Sequence, residues 1–156
     1  MKQTRAYRDA LARYPTGVAL VTVAEAGRAR VMTVNSFASV SLEPPLVLWS
    51  LAHDSDRYRT FRDAERFAVN VLAADQESLA TDGARLDDLD ETGAAWSTGA
   101  HGTPLTADAV ARFECRTIAV HEAGDHDIIV GEVLGFDAPR DAPALVFHKS
   151  EYSQAD

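Results

Sequence analysis

The chain has 156 residues, of which 46% are hydrophobic and 25% are charged. That length supports one domain with a sizeable core but is short for two, so we expect a single domain over residues 1–156. The formal net charge of −9 opposes binding to a nucleic-acid backbone, which attracts clustered Lys and Arg. A membrane span is also excluded, because no stretch approaches the roughly 20 apolar residues that cross a bilayer.

The cysteine content and the N-terminus bear on redox chemistry and cellular location. Cys115 is the only cysteine, which excludes an internal disulfide, a Cys-based zinc site and a CxxC pair. The N-terminal segment carries charges throughout and lacks the apolar run of a secretory signal. We therefore expect a cytoplasmic protein with no metal site, whose redox chemistry must come from a bound cofactor.

The first third of the chain predicts a short helix followed by strands. Tyr7, Leu11 and Tyr14 recur at helical spacing before Pro15. Residues 18–23 and 31–37 are rich in β-branched side chains around a Gly-containing turn, which predicts a hairpin. The almost uninterrupted apolar stretch over residues 46–51 predicts a strand buried on both faces.

The remaining segments alternate between charged and strand-like composition. Residues 55–64 suit a surface helix, and ADQESLA from residue 74 suits a second helix. The acidic run DDLDE that follows predicts a mobile, solvated face more than a metal site, because like charges repel each other. Residues 93–106 are rich in Gly, Thr and Ser and predict a loop. Further strands are expected over residues 67–72, 111–122, 128–136 and 144–147.

Many short strands with few helices predict a mainly β fold with flanking helices, arranged as a barrel. Neither GxGxxG after the first strand nor GxxxxGK[ST] occurs in the chain. A nucleotide would therefore be bound without either glycine-rich phosphate loop.

A cluster of polar side chains interrupts the strand-like segment TVNSFASVSLEPPLV. It comprises Thr33, Asn35, Ser36, Ser39 and Ser41. Because residues two apart share a face of a strand, these groups could line a site for a heteroaromatic ring or its phosphate. Composition alone favours the simpler interpretation, in which they end a strand and form Ser-type turns before Pro44.

Five segments in chain order resemble the flavin reductase-like family. They are RYPTGVALVTV, MTVNSFASVSLEPPLVLWSL, RFAVNVLAADQESLA, RFECRTIAVHEAGDHDIIVGEV and ALVFHKSEY. Each contains ordinary strand residues, but the ordered set spans residues 14–152. The resemblance implies a Greek-key split β-barrel of the FMN-binding type that forms a homodimer, with FMN or FAD near the subunit interface and NADH or NADPH as co-substrate.

The resemblance also implies roles for individual residues. Contacts with the isoalloxazine ring and ribityl chain would come from Thr33, Val34, Asn35, Ser36, Ser39 and Ser41, with Ser50, Leu51 and Ala52 along the same path. Ser55 and Arg57 would hold the phosphate, because a guanidinium offers a fork of donors with a fixed charge. Asp56 between them places an acid in a site built for an anion, and Arg57 would compensate for it.

His126, in GDHDIIVGEV, is the candidate catalytic residue. The resemblance places it beside the flavin, where it would orient the nicotinamide, although a lone histidine in a turn is often only a surface residue. We expect an orienting role and not acid–base catalysis, because hydride transfer mainly requires that the two rings be close and aligned. His148 and Tyr152 would flank the same pocket, whereas His53, His101 and His121 are expected to be structural or exposed. Asp82 and Gly83 depart from the family pattern, which puts flavin contacts from that segment in question.

Three functions follow from these features. The first is an NAD(P)H:flavin oxidoreductase that supplies reduced flavin to a separate monooxygenase. The second is a flavoprotein that keeps its flavin and acts directly on a small organic substrate. The third is a non-catalytic flavin- or haem-binding module, which the altered phosphate loop would favour.

Overall fold

The computed structural model describes residues 2–156, so Met1 of the expected domain lies outside it. The protein is mostly β, with 51% strand and 19% helix. The helices are α1 (Lys2–Leu11), α2 (Tyr58–Arg62) and α3 (Glu77–Arg85), with 3-10 turns at Ala74–Gln76 and Asp90–Thr92. The strands are β1 (Thr16–Gly17), β2 (Ala19–Glu25), β3 (Arg28–Val34), β4 (Ala38–Leu42), β5 (Pro45–Ala52), β6 (Arg66–Val71), β7 (Trp96–Thr98), β8 (Pro104–Thr106), β9 (Ala111–Ala123), β10 (His126–Asp137), β11 (Ala144–His148) and β12 (Glu151–Ala155).

A seven-stranded antiparallel sheet forms the body of the fold, in the order β3-β2-β6-β9-β10-β5-β4. The two edge strands, β3 and β4, are joined by only three residues, 35–37. Three residues span at most about 10 Å, so the sheet must curl until its edges approach each other. This arrangement is a barrel split between β3 and β4, which confirms the predicted fold class.

Two apolar clusters lie on opposite faces of this sheet. One fills the barrel and includes Val21, Trp49, Phe67 and Ile129. The other lies outside, where α3 and the small sheet β1-β11-β12 cover β2 and β3, and it includes Leu20, Val31, Ala80, Leu89 and Leu145. Strand β2 is therefore buried on both faces, as its five consecutive buried residues show.

The expectation that residues 46–51 are buried on both faces is wrong. In β5 the buried residues alternate: Val47, Trp49 and Leu51 point into the barrel. Leu46, Leu48 and Ser50 lie on the outer face and are only half-buried. A run of apolar residues does not reveal whether a second layer covers both faces of the strand.

The acidic run is solvated only in part: Asp90 and Glu91 are exposed, whereas Asp88 and Leu89 are buried. Asp88 is 7% exposed, and its carboxylate accepts hydrogen bonds from Arg28 Nη2 at 2.5 Å and from the Asp90 amide at 2.9 Å. Asp87 accepts one from Arg30 at 2.6 Å, and Leu89 is fully buried. The arginines come from β3, far away in sequence, so the local charge pattern could not reveal them.

Four short strands escaped prediction. Residues 93–106, expected to be a loop, contain the paired strands β7 and β8. Strand β4 occupies the polar segment before Pro44, and β12 pairs with β11 near the C-terminus. The hairpin predicted over residues 18–37 is confirmed as β2 and β3, joined by a two-residue turn at Ala26 and Gly27. Among residues 2–156, no helix is long and apolar enough to cross a membrane.

Candidate functional site

A crevice of about 320 Å³ opens where the two edges of the curled sheet approach each other. One side of the crevice is formed by the end of β3, by the residues 35–36 that follow it, and by α3. The other side is formed by the end of β5, by the loop after β5, and by the start of β10. The lining residues of the crevice are Met32, Thr33, Val34, Asn35, Ser36, Ser50, Ala52, Ser55, Asp56, Arg57, Ala84 and His126. Ten of these twelve residues were predicted as site residues from the sequence.

Strand alternation explains which residues reach the crevice. His126 pairs with Ala52 in the β10–β5 ladder, and Ile128 pairs with Ser50, so these side chains share the outer face. Leu51 lies between Ser50 and Ala52, points into the barrel and is fully buried. It therefore supports the crevice from beneath and does not line it.

Hydroxyl and amide groups make one wall of the crevice polar. Ser36 Oγ accepts a hydrogen bond from the Ser50 amide at 2.9 Å, which links the connection between β3 and β4 to strand β5. Thr33 Oγ1 donates to the Ala80 carbonyl oxygen at 2.7 Å and so ties β3 to α3. Asn35 completes this wall with an amide that can both donate and accept. Such a wall suits a ring system bearing several donors and acceptors.

The Arg57 side chain lies under the crevice instead of projecting from it. Only 8% of the residue is exposed. Its guanidinium donates to the carbonyl oxygens of Val31 at 3.1 Å, Gly83 at 2.8 Å and Ala84 at 3.1 Å. Three of its five N–H groups are thereby used in joining the loop to β3 and α3. Its role in holding a phosphate stays a prediction. For that role Arg57 offers its positive charge and the N–H groups that are not bonded to the three carbonyls.

The loop before α2 carries the other predicted phosphate contacts. Ser55 Oγ accepts a hydrogen bond from the Arg57 amide at 3.2 Å. The Asp56 carboxylate is 91% exposed, and its Oδ1 lies 3.7 Å from Arg57 Nε. The acid that departs from the family pattern therefore points largely to solvent at the rim of the crevice.

The other departure from the family pattern, at Asp82 and Gly83, lies on α3 directly before Ala84 of the crevice lining. Gly83 is buried, and a Cβ there would lie 2.6 Å from Thr33 Oγ1. Asp82 turns away and pairs with Arg85 at 3.1 Å. Ala84, which the sequence did not identify, contributes to the lining, as does Met32. Ala84 and Met32 have apolar side chains, which gave no sign in the sequence that they would line a binding site.

His126 lies at the end of the crevice opposite α3. Its Nδ1 is 2.7 Å from Oδ1 of the exposed Asp125, and this contact lowers the pKa of the Asp125 carboxyl. Occupation of Nδ1 leaves Nε2 as the ring nitrogen available to a ligand. His126 is half-buried, as expected of a group that lines a site and still meets solvent.

Asp127, the next residue, belongs to a cluster that the sequence analysis missed. It faces into the barrel and is 4% exposed. Its Oδ1 lies 2.8 Å from His53 Nε2, and its Oδ2 accepts a hydrogen bond from the Tyr58 hydroxyl. These bonds lower the pKa of Asp127, while the same carboxylate raises the pKa values of His53 and Tyr58. The sequence did carry one signal for this cluster: Asp127 lies two residues before Ile129, on the same barrel-facing side of β10. A carboxylate on a buried face needs hydrogen-bond partners.

Other predicted residues lie apart from the crevice. Ser39 is exposed and Ser41 half-buried on the edge strand β4, and neither lines it. Tyr152 packs against Phe147 with the rings tilted at 54° and their centroids 5.2 Å apart, beside a second cavity of about 190 Å³. That cavity shares Thr33, Val34 and Asn35 with the crevice, so Tyr152 lies behind the same segment.

The remaining histidines are dispersed. His148 Nε2 lies 3.2 Å from the Arg13 carbonyl oxygen, and His101 lines a separate cavity with Arg112 and Glu114. His121 is exposed on β9. Within residues 2–156, no three His, Cys, Asp or Glu side chains are grouped so as to hold a metal ion.

Comparison with known proteins points to one family. The profile of the flavin reductase like domain matches residues 11–156. An NADH-dependent FMN reductase, SmoA, from Agrobacterium fabrum is 48% identical over 150 residues, which cover 94% of this chain and 83% of that protein. The reductase component of the flavin-dependent trigonelline monooxygenase from Acinetobacter baylyi is 39% identical over 87% of this chain. The match spans only 44% of that longer protein.

Solved structures agree with the sequence matches. An NADH:FAD oxidoreductase from Streptomyces globisporus, solved with NAD and FAD fragments, superposes with a TM-score of 0.92 and is 36% identical. The match covers 99% of this chain and 94% of that one.

Proposed function

Because the chain belongs to the flavin reductase-like family, we propose that it is an NAD(P)H:flavin oxidoreductase that reduces FMN or FAD. The observation that carries this proposal is the crevice itself. Segments far apart in sequence, around residues 33–36, 50–57 and 126, converge on one opening with a polar wall, a buried cation beneath it and a histidine at its end. Residues 1–156 would then form one flavin reductase-like domain.

The residues of the crevice fit a flavin. Its volume lies at the lower end of the range for small-molecule sites, and one open side leaves room for a second ring. Asn35, Ser36 and Ser50 offer donors and acceptors to the ring edge and ribityl chain, with Ser55 and the charge of Arg57 near the phosphate. The two cofactors supply the chemistry, which is hydride transfer from the nicotinamide to the flavin.

The protein's contribution is to bind and align the two ligands. The hydrogen bonds from the Ser50 amide to Ser36 and from Thr33 to Ala80 fix the wall before any ligand arrives. A prearranged site avoids ordering costs during binding and holds two rings in contact. We assign His126 to the nicotinamide side, where its free Nε2 can donate to or accept from the incoming ligand.

The direct test mixes the full chain with FMN or FAD and with NADH or NADPH, and follows nicotinamide oxidation. We expect oxidation well above the protein-free rate with at least one pair, and turnover of flavin in molar excess over protein. If every pair gives the protein-free rate, the proposal is wrong. Protein that retains one flavin through gel filtration but turns over none in excess would instead favour a flavoprotein acting directly on an organic substrate. Ligand binding without nicotinamide-dependent reduction would favour a carrier.

We also propose that the chain acts as a homodimer in the cytoplasm and hands reduced flavin to a flavin-dependent monooxygenase. Exposed apolar side chains support the dimer: Leu42 is 92% exposed and Phe136 is 80% exposed. The half-buried outer face of β5, with Leu46 and Leu48, adjoins the crevice through Ser50. Light scattering after gel filtration tests this, and a monomer at micromolar concentration would contradict it.

A further inference from the structure

The Asp127 carboxylate joins two segments that bound the crevice from different sides. Its partners, His53 and Tyr58, flank the loop 54–57 between β5 and α2. The His53 amide adds a third link by donating to the Asp125 carbonyl oxygen at 2.9 Å. Asp127 itself begins the buried face of β10, directly after His126. The loop and the β9–β10 turn are therefore fastened together by a cluster whose three residues do not line the crevice.

Both oxygens of this buried carboxylate are occupied. A buried charge is tolerated only when it is hydrogen-bonded, and here a neighbouring ring also encloses it. The His53 and Tyr58 rings pack edge to face, with centroids 5.6 Å apart and an interplanar angle of 86°. This packing holds each ring in the orientation in which it donates to Asp127.

Successive side chains of a strand point to opposite faces, so the position of Asp127 determines that of His126. With Asp127 anchored inside the barrel, His126 must face outward at the crevice. The chain reverses at Gly124 and Asp125 just before, and residues 121–125 are exposed. Asp127 therefore supplies the side-chain anchor at this end of the hairpin, beside the backbone hydrogen bonds of its ladders and the one from the His53 amide to Asp125.

The opposite side of the crevice is held independently. Arg57 fastens the loop 54–57 to β3 and α3 through the carbonyls of Val31, Gly83 and Ala84. If the Asp127 cluster were lost, this loop would keep its position while the β9–β10 turn would move. The effect would fall on His126 and not on the predicted flavin contacts.

We propose that Asp127 is a positioning residue which, through His53 and Tyr58, holds His126 at the nicotinamide side of the crevice and so governs nicotinamide affinity without touching either ligand. The inference rests on the proposed flavin reductase activity. It extends that proposal, because it assigns nicotinamide affinity, and not flavin affinity, to the cluster formed by Asp127, His53 and Tyr58.

The main experiment compares Asp127→Asn with Glu122→Gln in the full chain. Glu122 pairs with Asp127 in the hairpin ladder and is exposed, so its variant removes the same charge at the same level of the strand. For Asp127→Asn we expect the KM for NADH to rise about tenfold, which is the size of effect expected when one hydrogen bond to the ligand is lost. Flavin affinity, measured by fluorescence quenching, and kcat at saturating NADH should stay within about threefold of wild type. Glu122→Gln should match wild type in all three.

Two His53 variants keep the test decisive even where Asp127→Asn folds poorly. His53→Ala removes a donor to Asp127, whereas His53→Gln retains a side-chain N–H near the position of Nε2. We expect His53→Ala to raise the KM for NADH and His53→Gln to restore most of it, with thermal unfolding followed in parallel. An unchanged KM in both Asp127→Asn and His53→Ala would overturn the inference, as would an equal loss of flavin and NADH affinity. A wild-type protein without activity would instead overturn the proposed function.

Discussion

The carbonyl oxygen of Gly83 lies 2.8 Å from Nη1 of Arg57 and accepts a hydrogen bond from it. The glycine lets α3 approach β3 closely, and its carbonyl oxygen accepts a hydrogen bond from a buried cation on the loop after β5. The two segments that depart from the family pattern, residues 82–83 and 55–57, are thus parts of one contact under the crevice.

Replacing Arg57 with lysine should destabilise the fold. An ammonium cannot reach three carbonyls spread across a guanidinium fork, so at least one would lose its partner. We expect a loss of about 2 kcal/mol in the free energy of unfolding, as is typical for hydrogen bonds to charged groups. Urea denaturation measures it. Arg59→Lys, at an exposed position two residues later, should leave the unfolding curve unchanged.

Gly83→Ala should be destabilising although alanine favours helices. The new Cβ would lie 2.6 Å from Thr33 Oγ1 and 2.9 Å from Leu20 Cδ2, and the Thr33 hydroxyl is held by its bond to Ala80. A gain in helix propensity of about 1 kcal/mol is set against an overpacking cost of about 1–3 kcal/mol. We therefore expect a lower melting temperature and weaker flavin binding. Gly17→Ala, whose Cβ would meet nothing within 4 Å, should show neither effect.

Replacing His126 with alanine should weaken nicotinamide binding. The variant loses the one ring nitrogen that faces a ligand at the end of the crevice, and we expect the KM for NADH to rise about tenfold, which corresponds to about 1.4 kcal/mol. Steady-state kinetics with flavin at saturation measures this change. His121→Ala removes an exposed histidine from the same hairpin. If both variants behave alike, His126 has no special role.

The His53–Asp127 pair should make stability depend on pH at both ends of the range. The pKa of His53 is raised above 6.5, so its contribution is fully present below pH 6.5 and is lost as the pH rises through the folded-state value. The pKa of Asp127 is lowered below 3.8, so its contribution is present above pH 3.8 and is lost as the pH falls through the folded-state value.

The two contributions therefore coincide between about pH 4 and 6.5. Thermal unfolding of wild type and His53→Gln across pH 4 to 9 isolates the histidine part, because a glutamine does not titrate. We expect the stability difference between the two proteins to shrink as the pH rises above 6.5. A difference that is constant across this range would contradict the assignment.

Cys115 should be inert in the native protein. It is fully buried, and burial raises the pKa of its thiol from 9.0 to about 12. Because the thiolate is the reactive form, a chromogenic disulfide reagent at pH 8 should label it only as fast as the protein unfolds. Labelling should be immediate in concentrated urea. Rapid labelling without denaturant would show that the barrel opens locally around β9.

Several features of the site could be predicted from sequence because they depend on local pattern. The polar segment at residues 33–36, the serines at 50 and 55, and His126 stand out as polar groups in or beside strands. Their grouping in one crevice came from the resemblance to a family, since no local rule brings residue 33 next to residue 126. Ser39 and Ser41 had the same polar signal but lie on an edge strand that turns away.

Strands joined by turns could be predicted from the sequence, because the alternation of side chains and the glycines at turns are local signals. The need for a bound redox cofactor could also be predicted, because only one cysteine is present. The burial of Arg57 and Asp127 with their partners could not, because it depends on the tertiary structure. A charge can leave water only where distant segments supply its hydrogen bonds, and those segments meet only once the sheet has curled.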